Sequence, residues 1–339
     1  MSRDETMRAV EVPAAGADFE IVERDIPEPE DTEVRIAVDA CGICHSDAVV
    51  KEGTRPIEYP RIPGHEVVGS VDAIGGEVTE WRVGDHVGVG WHGGHCYTCE
   101  ACCRGDFKNC DRTLVTGLDF DGGYAEYLTA PREALAAVPE DLDAVDAAPL
   151  LCAGITTFNG LRNSDGRLGD LVAVQGIGGL GHLGIQYAHR AGFETVALSR
   201  GSDKREAAYE LGADHYINTE AEDPAEALQD LGGADVILTT VPSSEAIESV
   251  VGGLGDNGDL IAVGIPGDPV EVNIQELIGS RSSVSGWASG TAIDSQDTLK
   301  FSALRDVTPE IETFDLEDVG EAYERMMSNE VRFRAVLVP

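Results

Sequence analysis

From residue 171 onward, short apolar runs alternate with stretches of helical periodicity. Runs at 171–174, 196–198, 216–217, 236–238, 260–263 and 284–287 read as strands; 178–190, 204–211, 224–231 and 244–251 read as helices. Strands alternating with helices mean βαβ units and a parallel sheet with helices on both faces. Before about residue 150 the pattern differs. Val34, Ile36 and Val38 alternate with Arg35 and Ala37, and short strands follow at 67–71 and 86–89, punctuated by Gly and Pro. Beyond residue 288, helices at 296–304 and 316–328 and a strand at 335–338 are expected to rejoin the first part. The prediction is an α/β protein: a β-rich domain over 1–152, a doubly wound parallel sheet over 153–288, and a return to the first domain over 289–339.

Chemistry enters between residues 41 and 66, which read CGICHSD, a loop, then PGHE. Thiolate and imidazole are preferred zinc ligands, and a catalytic zinc takes three protein ligands while keeping one position open. Cys44 and His65 offer two. Further on, Cys96, Cys99, Cys102 and Cys110 have the spacing C-x2-C-x2-C-x7-C. Four thiolates in a short Gly-containing lobe match a closed structural zinc site. Cys41 and Cys103 fall off these spacings and read as small buried hydrophobes. His92, His95 and His182 read as solvated or locally bonded. The clustering of the eight cysteines, together with a polar opening that lacks a secretory leader's apolar core, favours metal binding in a reducing cytoplasm over disulfides.

The segment LVAVQGIGGLGHLG places Gly176, Gly178 and Gly181, with Gly179 in the same turn, as G-x-G-x-x-G between a strand and a helix. Such a turn lets a pyrophosphate approach the helix N-terminus, so a dinucleotide is expected. After the second strand come Ser199, Arg200 and, shortly, Lys204, where an acidic residue would select NAD. A hydroxyl and two cations suit a 2′-phosphate, so NADP is favoured and NAD allowed.

Charge changes the picture of the surface. Asp and Glu total 62 against 24 Lys and Arg, a formal net charge of −38, dispersed between apolar segments. Salt screens such self-repulsion, and the pattern suits a salt-rich cytoplasm. It argues against nucleic acid and anionic membranes as partners. No apolar run of about 18 residues is evident.

Taken in order, GICHSD, PGHE, the four-cysteine lobe, LLCAGITTF, the glycine turn and the terminal VRFRAVL resemble the zinc-dependent medium-chain alcohol dehydrogenases, in a halophilic version, across essentially the whole chain. The resemblance implies a GroES-like catalytic domain with a Rossmann domain, and two zinc ions per chain. It implies that Cys44, His65 and Cys152 hold the catalytic zinc, with Glu66 near the metal and Asp47 orienting the histidine. Ser46 would bind the alcohol and relay its proton, and Trp91 would wall the substrate pocket. His45 and Arg334 would face the pyrophosphate, and Thr156 would lie beneath the nicotinamide. The family's frequent relay histidine is replaced here by Val49, so the proton would leave Ser46 through the cofactor ribose and water or by another route. The resemblance also implies a homo-oligomer, dimer or tetramer, with 284–287 as the edge contact. The expected activity is reversible hydride transfer between a primary or unhindered secondary alcohol, its aldehyde or ketone, and NADP. A zinc-free quinone or enone reductase of the same fold and a non-catalytic NADPH- or zinc-binding protein are the alternatives.

Overall fold

The computed structural model describes residues 6–339; the first five residues of the polar opening lie outside it. The chain forms two compact units, one of residues up to Ile155 together with Gly290–Pro339, the other Thr156–Ser289.

In the first unit the long strand Glu33–Ile43 is central. It pairs antiparallel with Val67–Ile74, Tyr127–Pro131 and Arg334–Val338. The sheet runs Ile311–Asp315, Arg334–Val338, Glu33–Ile43, Val67–Ile74, His86–Val89, Leu135–Ala137. Val34, Ile36 and Val38 point into the core as the alternation predicts, against Val71, Val87, Tyr124 and Leu128. Arg35, on the other face, is also buried, because Asp72 and Glu28 pair with its guanidinium. Strand register then sets the chemistry. Cys41 lies opposite Val67, the Gly42 N–H donates to the Glu66 carbonyl at 3.0 Å, and Ala335 lies opposite Ile43. Cys44, Glu66 and Arg334, each one residue beyond its paired strand segment, therefore converge at one end of the sheet.

Several strands, among them the first two, and a long helical stretch were not evident from the sequence. Thr6–Glu11 and Glu20–Asp25 form an antiparallel pair. Ala144–Pro149 is helical, Leu150–Gly154 forms a π-helical turn, and Ile155–Arg162 continues as α-helix. Ala, Gly and Thr dilute the periodicity there, and Pro149 reads as a stop. Contrary to the sequence reading, Ala144–Arg162 is long and apolar enough to cross a membrane by composition, but 72% of its most apolar window is buried within the protein. It is a core helix.

The second unit is a six-stranded parallel sheet with spatial order His215–Asn218, Glu194–Ser199, Leu171–Gln175, Ala234–Thr239, Leu254–Ala262, Ser283–Gly286. Numbered along the chain this is 3-2-1-4-5-6, the Rossmann order. Leu171–Gln175 is buried at every residue, as a central strand covered on both faces must be. The predicted helix at 178–190 begins later, at Gly181, and runs to Ala191; the three residues before it belong to the glycine turn. Gly181 has no room for a side chain, since a Cβ would sit 1.7 Å from the Gly176 carbonyl oxygen. Gly178 faces open space.

Gly181→Ala should therefore destabilise the protein by about 3 kcal/mol or more, read as a lowered midpoint in thermal or urea unfolding. Gly178→Ala should leave the midpoint unchanged and weaken only dinucleotide binding, measured by fluorescence titration.

Candidate active site and cofactor turn

Cys44 ends the extended run of the central strand and opens a 3-10 turn, His45–Asp47. The turn closes on itself: the Asp47 N–H donates to the Cys44 carbonyl at 2.9 Å, and the Cys44 N–H to Asp47 Oδ2 at 2.8 Å. This leaves the Cys44 thiol buried, Ser46 half-buried and His45 exposed. His65 and Glu66 are fully buried just before the strand that begins at Val67. Cys152 projects from the π-helical turn, an irregularity that recurs at functional sites because it re-aims a side chain.

The ligand atoms of Cys44, His65, Glu66 and Cys152 all lie within 4.8 Å of one another. The two sulfurs are 3.7 Å apart, close to the edge of about 3.8 Å that two ligands at about 2.3 Å make around a tetrahedral ion. His65 Nε2 and Glu66 Oε2 are buried without a hydrogen-bond partner, an arrangement costly to leave unmet. Asp47, buried at 1% exposure, holds Oδ1 3.0 Å from His65 Nδ1, off the line of an ideal ring N–H bond. Two thiols, an imidazole whose far nitrogen faces its carboxylate, and an uncommitted imidazole nitrogen fit a zinc ion.

These buried groups set one another's protonation. The hydrogen bond from Cys152 lowers the Cys44 thiol well below its usual value, helped by His65 and Arg334, while Cys152 is raised well above as the partner that keeps the shared proton. Burial alone would lower His65, but the Asp47 carboxylate and Cys44 overcome it and raise it. Glu66 is pushed up to about 7, by burial first, with Arg334 opposing. Arg334 ion-pairs with Glu66 through Nη2, which also donates to the Ile43 carbonyl at 3.2 Å.

The lobe is a second cluster. The ligand atoms of Cys96, Cys99, Cys102 and Cys110 lie within 4.8 Å of one another. Backbone N–H groups aim at the sulfurs: Cys99 on Cys96 at 3.4 Å, Cys102 on Cys99 at 3.4 Å, and both Cys96 and Arg112 on Cys110 at 3.3 Å. Such donors favour thiolates, and the Thr98 backbone N–H leads the causes that bring Cys96 down to about 5. Burial holds Cys102 up at about 12, so metal binding here would release a proton.

In the second unit, Gly176, Gly178 and Gly179 form the turn ahead of the helix. Lys204 donates to the Ile177 carbonyl within that turn at 2.6 Å. Burial of its ammonium, and then Arg200 nearby, lower it from the usual lysine value, although the residue as a whole is exposed. Ser199 is half-buried at the end of its strand, and Thr156 is buried.

Two family models match the chain, the alcohol dehydrogenase GroES-like domain over residues 30–140 and the zinc-binding dehydrogenase domain over 179–304. The chain is 45% identical to the alcohol dehydrogenase patD of Penicillium expansum over 322 residues, covering 95% of this chain and 94% of that one. The chain belongs to the zinc-type medium-chain alcohol dehydrogenases. Its fold matches a cinnamyl alcohol dehydrogenase from Sorghum bicolor with a TM-score of 0.87 at 31% identity, covering 98% and 97% of the two chains. It also matches CAD from Helicobacter pylori, solved in complex with NADP(H), with a TM-score of 0.85 at 26% identity and 98% of both chains covered. The enzyme is thus an NAD(P)-dependent alcohol dehydrogenase with a GroES-like unit and a Rossmann unit.

Several sequence readings of this dehydrogenase need correction. Cys103 is exposed, not a buried hydrophobe: it sits on the outer side of the short helix Glu100–Cys103, whose inner side supplies Cys102. Cys41 is fully buried as expected. His182 is locally bonded, in line with the sequence reading: it is buried, and its Nδ1 lies 2.9 Å from the Gly178 carbonyl. His92 is buried at 4% exposure, which brings its ring down to about 4, and its neighbour His95 stacks on Phe107 at 4.1 Å. Trp91 stands edge-on to His65 at 4.8 Å and packs with Val49 around Val12, Val50, Val115 and Leu118. Sequence reasoning missed two partnerships, Arg334 with Glu66 and Tyr124 with Asp47 at 2.8 Å.

Because Glu66 and Arg334 are both buried, removing one strands the other's charge. Arg334→Leu should cost about 3–5 kcal/mol in urea unfolding, and adding Glu66→Gln should recover a large part of it.

Proposed function

We propose that this enzyme interconverts small primary or unhindered secondary alcohols with their aldehydes or ketones, using NADP and two zinc ions per chain. The observation that carries the reading is the convergence of Cys44, His65 and Cys152, with two sulfurs 3.7 Å apart and His65 Nε2 uncommitted. Cys96, Cys99, Cys102 and Cys110 are assigned to a structural zinc that holds the lobe. Zinc at the first site would supply a Lewis acid for the substrate oxygen, and NADP would supply the hydride acceptor.

The chain's own residues do the rest. Asp47 keeps the proton of His65 on Nδ1, which leaves Nε2 as a ligand. Ser46, two residues past Cys44, would relay the proton of the substrate hydroxyl, accepting it while handing its own on through the cofactor ribose and water or by another route. Val49 packs in an apolar cluster and has no proton to pass on. Trp91 and that cluster form an apolar wall beside His65, which disfavours water and suits an unbranched or planar substrate. Glu66 carries a charge that Arg334 balances, so this carboxylate can approach or leave the metal site without stranding a bare anion.

Gly176, Gly178, Gly179 and Gly181 are assigned to the pyrophosphate at the helix N-terminus. His45, Thr156 and the Arg334 nitrogens other than Nη2 are assigned to the cofactor as well. Ser199, Arg200 and Lys204 are assigned to the 2′-phosphate. Support for NADP comes from the two cations beside the glycine turn and from the NADP(H) complex of the Helicobacter pylori relative. The edge strand Ser283–Gly286, with Ile274 and Ile278 exposed on the preceding helix, supports a homo-oligomer.

Cys152→Ser should abolish alcohol-dependent growth of the reduced-nicotinamide absorbance while NADP still binds in a fluorescence titration. Full activity in that variant would reject the metal assignment. For cofactor choice, Arg200→Ala should lower kcat/KM with NADP by about tenfold or more, in line with loss of one charge-assisted hydrogen bond, and leave kcat/KM with NAD nearly unchanged. Equal losses with both cofactors would reject the phosphate role.

A further inference from the structure

We infer that Tyr124 is a positioning residue for the metal site: its phenol fixes the Asp47 carboxylate, and through it the His65 imidazole and the start of the Cys44 turn. The inference rests on the reading that Cys44, His65 and Cys152 hold zinc.

Tyr124 has 0% exposure, and its hydroxyl donates to Asp47 Oδ2 at 2.8 Å. The same oxygen accepts the Cys44 N–H at 2.8 Å, while Oδ1 lies 3.0 Å from His65 Nδ1 but off the ideal line. Asp47 is thus aimed from two sides, by one backbone N–H and one phenol. The backbone donor belongs to the turn that Asp47 itself closes, so it cannot set the carboxylate's direction independently. The phenol comes from a different part of the chain and can.

That part of the chain is itself locked to the segment carrying His65. The Gly122 N–H donates to the Ile62 carbonyl at 2.8 Å, Gly123 to Gly64 at 3.1 Å and Tyr124 to Pro63 at 3.0 Å. The Tyr124 carbonyl accepts from Val10 at 2.8 Å. The ring lies against Gly64, where a Cβ would come within 2.5 Å of Tyr124 Cδ1, and Gly64 has φ +101°. A backbone that only glycine adopts easily lets the ring approach the residue next to His65. The phenol, the imidazole and the carboxylate therefore move as one body. Without the hydroxyl, Asp47 keeps the Cys44 N–H and an off-axis imidazole, and its carboxylate can rotate away from Nδ1. The histidine then loses the partner that keeps its Nε2 lone pair facing the metal.

Tyr124→Phe removes this one oxygen and keeps the buried ring. The full-length protein loaded with zinc would be challenged with a chromogenic chelator, and zinc release followed beside wild type and Cys44→Ser, which identifies the signal of this site. Tyr124→Phe should release the ion that Cys44→Ser lacks about tenfold faster or more. The lobe ion should leave at the wild-type rate, while the melting temperature falls because Asp47 loses one of its buried partners. Wild-type release from both sites would overturn the inference. So would a melting temperature lowered equally with and without zinc, with both ions lost alike, since that marks Tyr124 as core packing only. If wild type holds no ion that Cys44→Ser removes, the zinc reading itself fails and takes the inference with it, an outcome distinct from equal retention in wild type and Tyr124→Phe.

Discussion

The carboxylate of Asp47 is the constraint on which the end of the sheet carrying Cys44 and His65 depends. Burying a carboxylate at 1% exposure is costly unless its lone pairs are met. The structure meets Oδ2 with the Cys44 N–H and the Tyr124 hydroxyl and places the His65 ring 3.0 Å from Oδ1. Each partner comes from a different stretch: a turn after the central strand, a stretch packed on Ile62–Gly64, and His65, two residues before the strand that starts at Val67. One buried anion thus gathers three pieces of backbone. A second buried anion, Glu66, is met by Arg334 from the last strand in the same region. The site is built around two buried acids, each partnered on one oxygen and leaving the other without a hydrogen bond.

Much of this was legible because it is local. The four-cysteine spacing, CGICHSD, PGHE and the glycine turn are runs of a few residues, and each folds as its chemistry demands. The alternation of 34, 36 and 38 and the βαβ rhythm after 171 gave the sheets, because burial on one or both faces writes itself into residue type at period two or as apolar runs. The glycine turn also told where the helix starts, although its first residues proved to belong to the turn and not to the helix.

What stayed hidden is non-local or a matter of one residue. Tyr124 and Asp47 are 77 positions apart, Arg334 and Glu66 268; loop pairing brings the first two together and strand register the second, and neither is written in one segment alone. The helical stretch from Ala144 to Arg162 escaped because small residues and a proline blur its period. Cys103 stayed hidden because it neighbours a cysteine of the cluster, but a step of one residue on a short helix turns a side chain from the cluster to the solvent.

That last feature has a practical side. Cys103 is exposed, while the cysteines of the two clusters are buried or half-buried. In the fully metallated protein a maleimide dye would find one reactive sulfur per chain, so the stoichiometry of alkylation becomes a gauge of how many ions a preparation carries. The same sulfur is where air would first link two molecules, which makes a reducing agent part of handling this enzyme, and a serine at that position a harmless convenience.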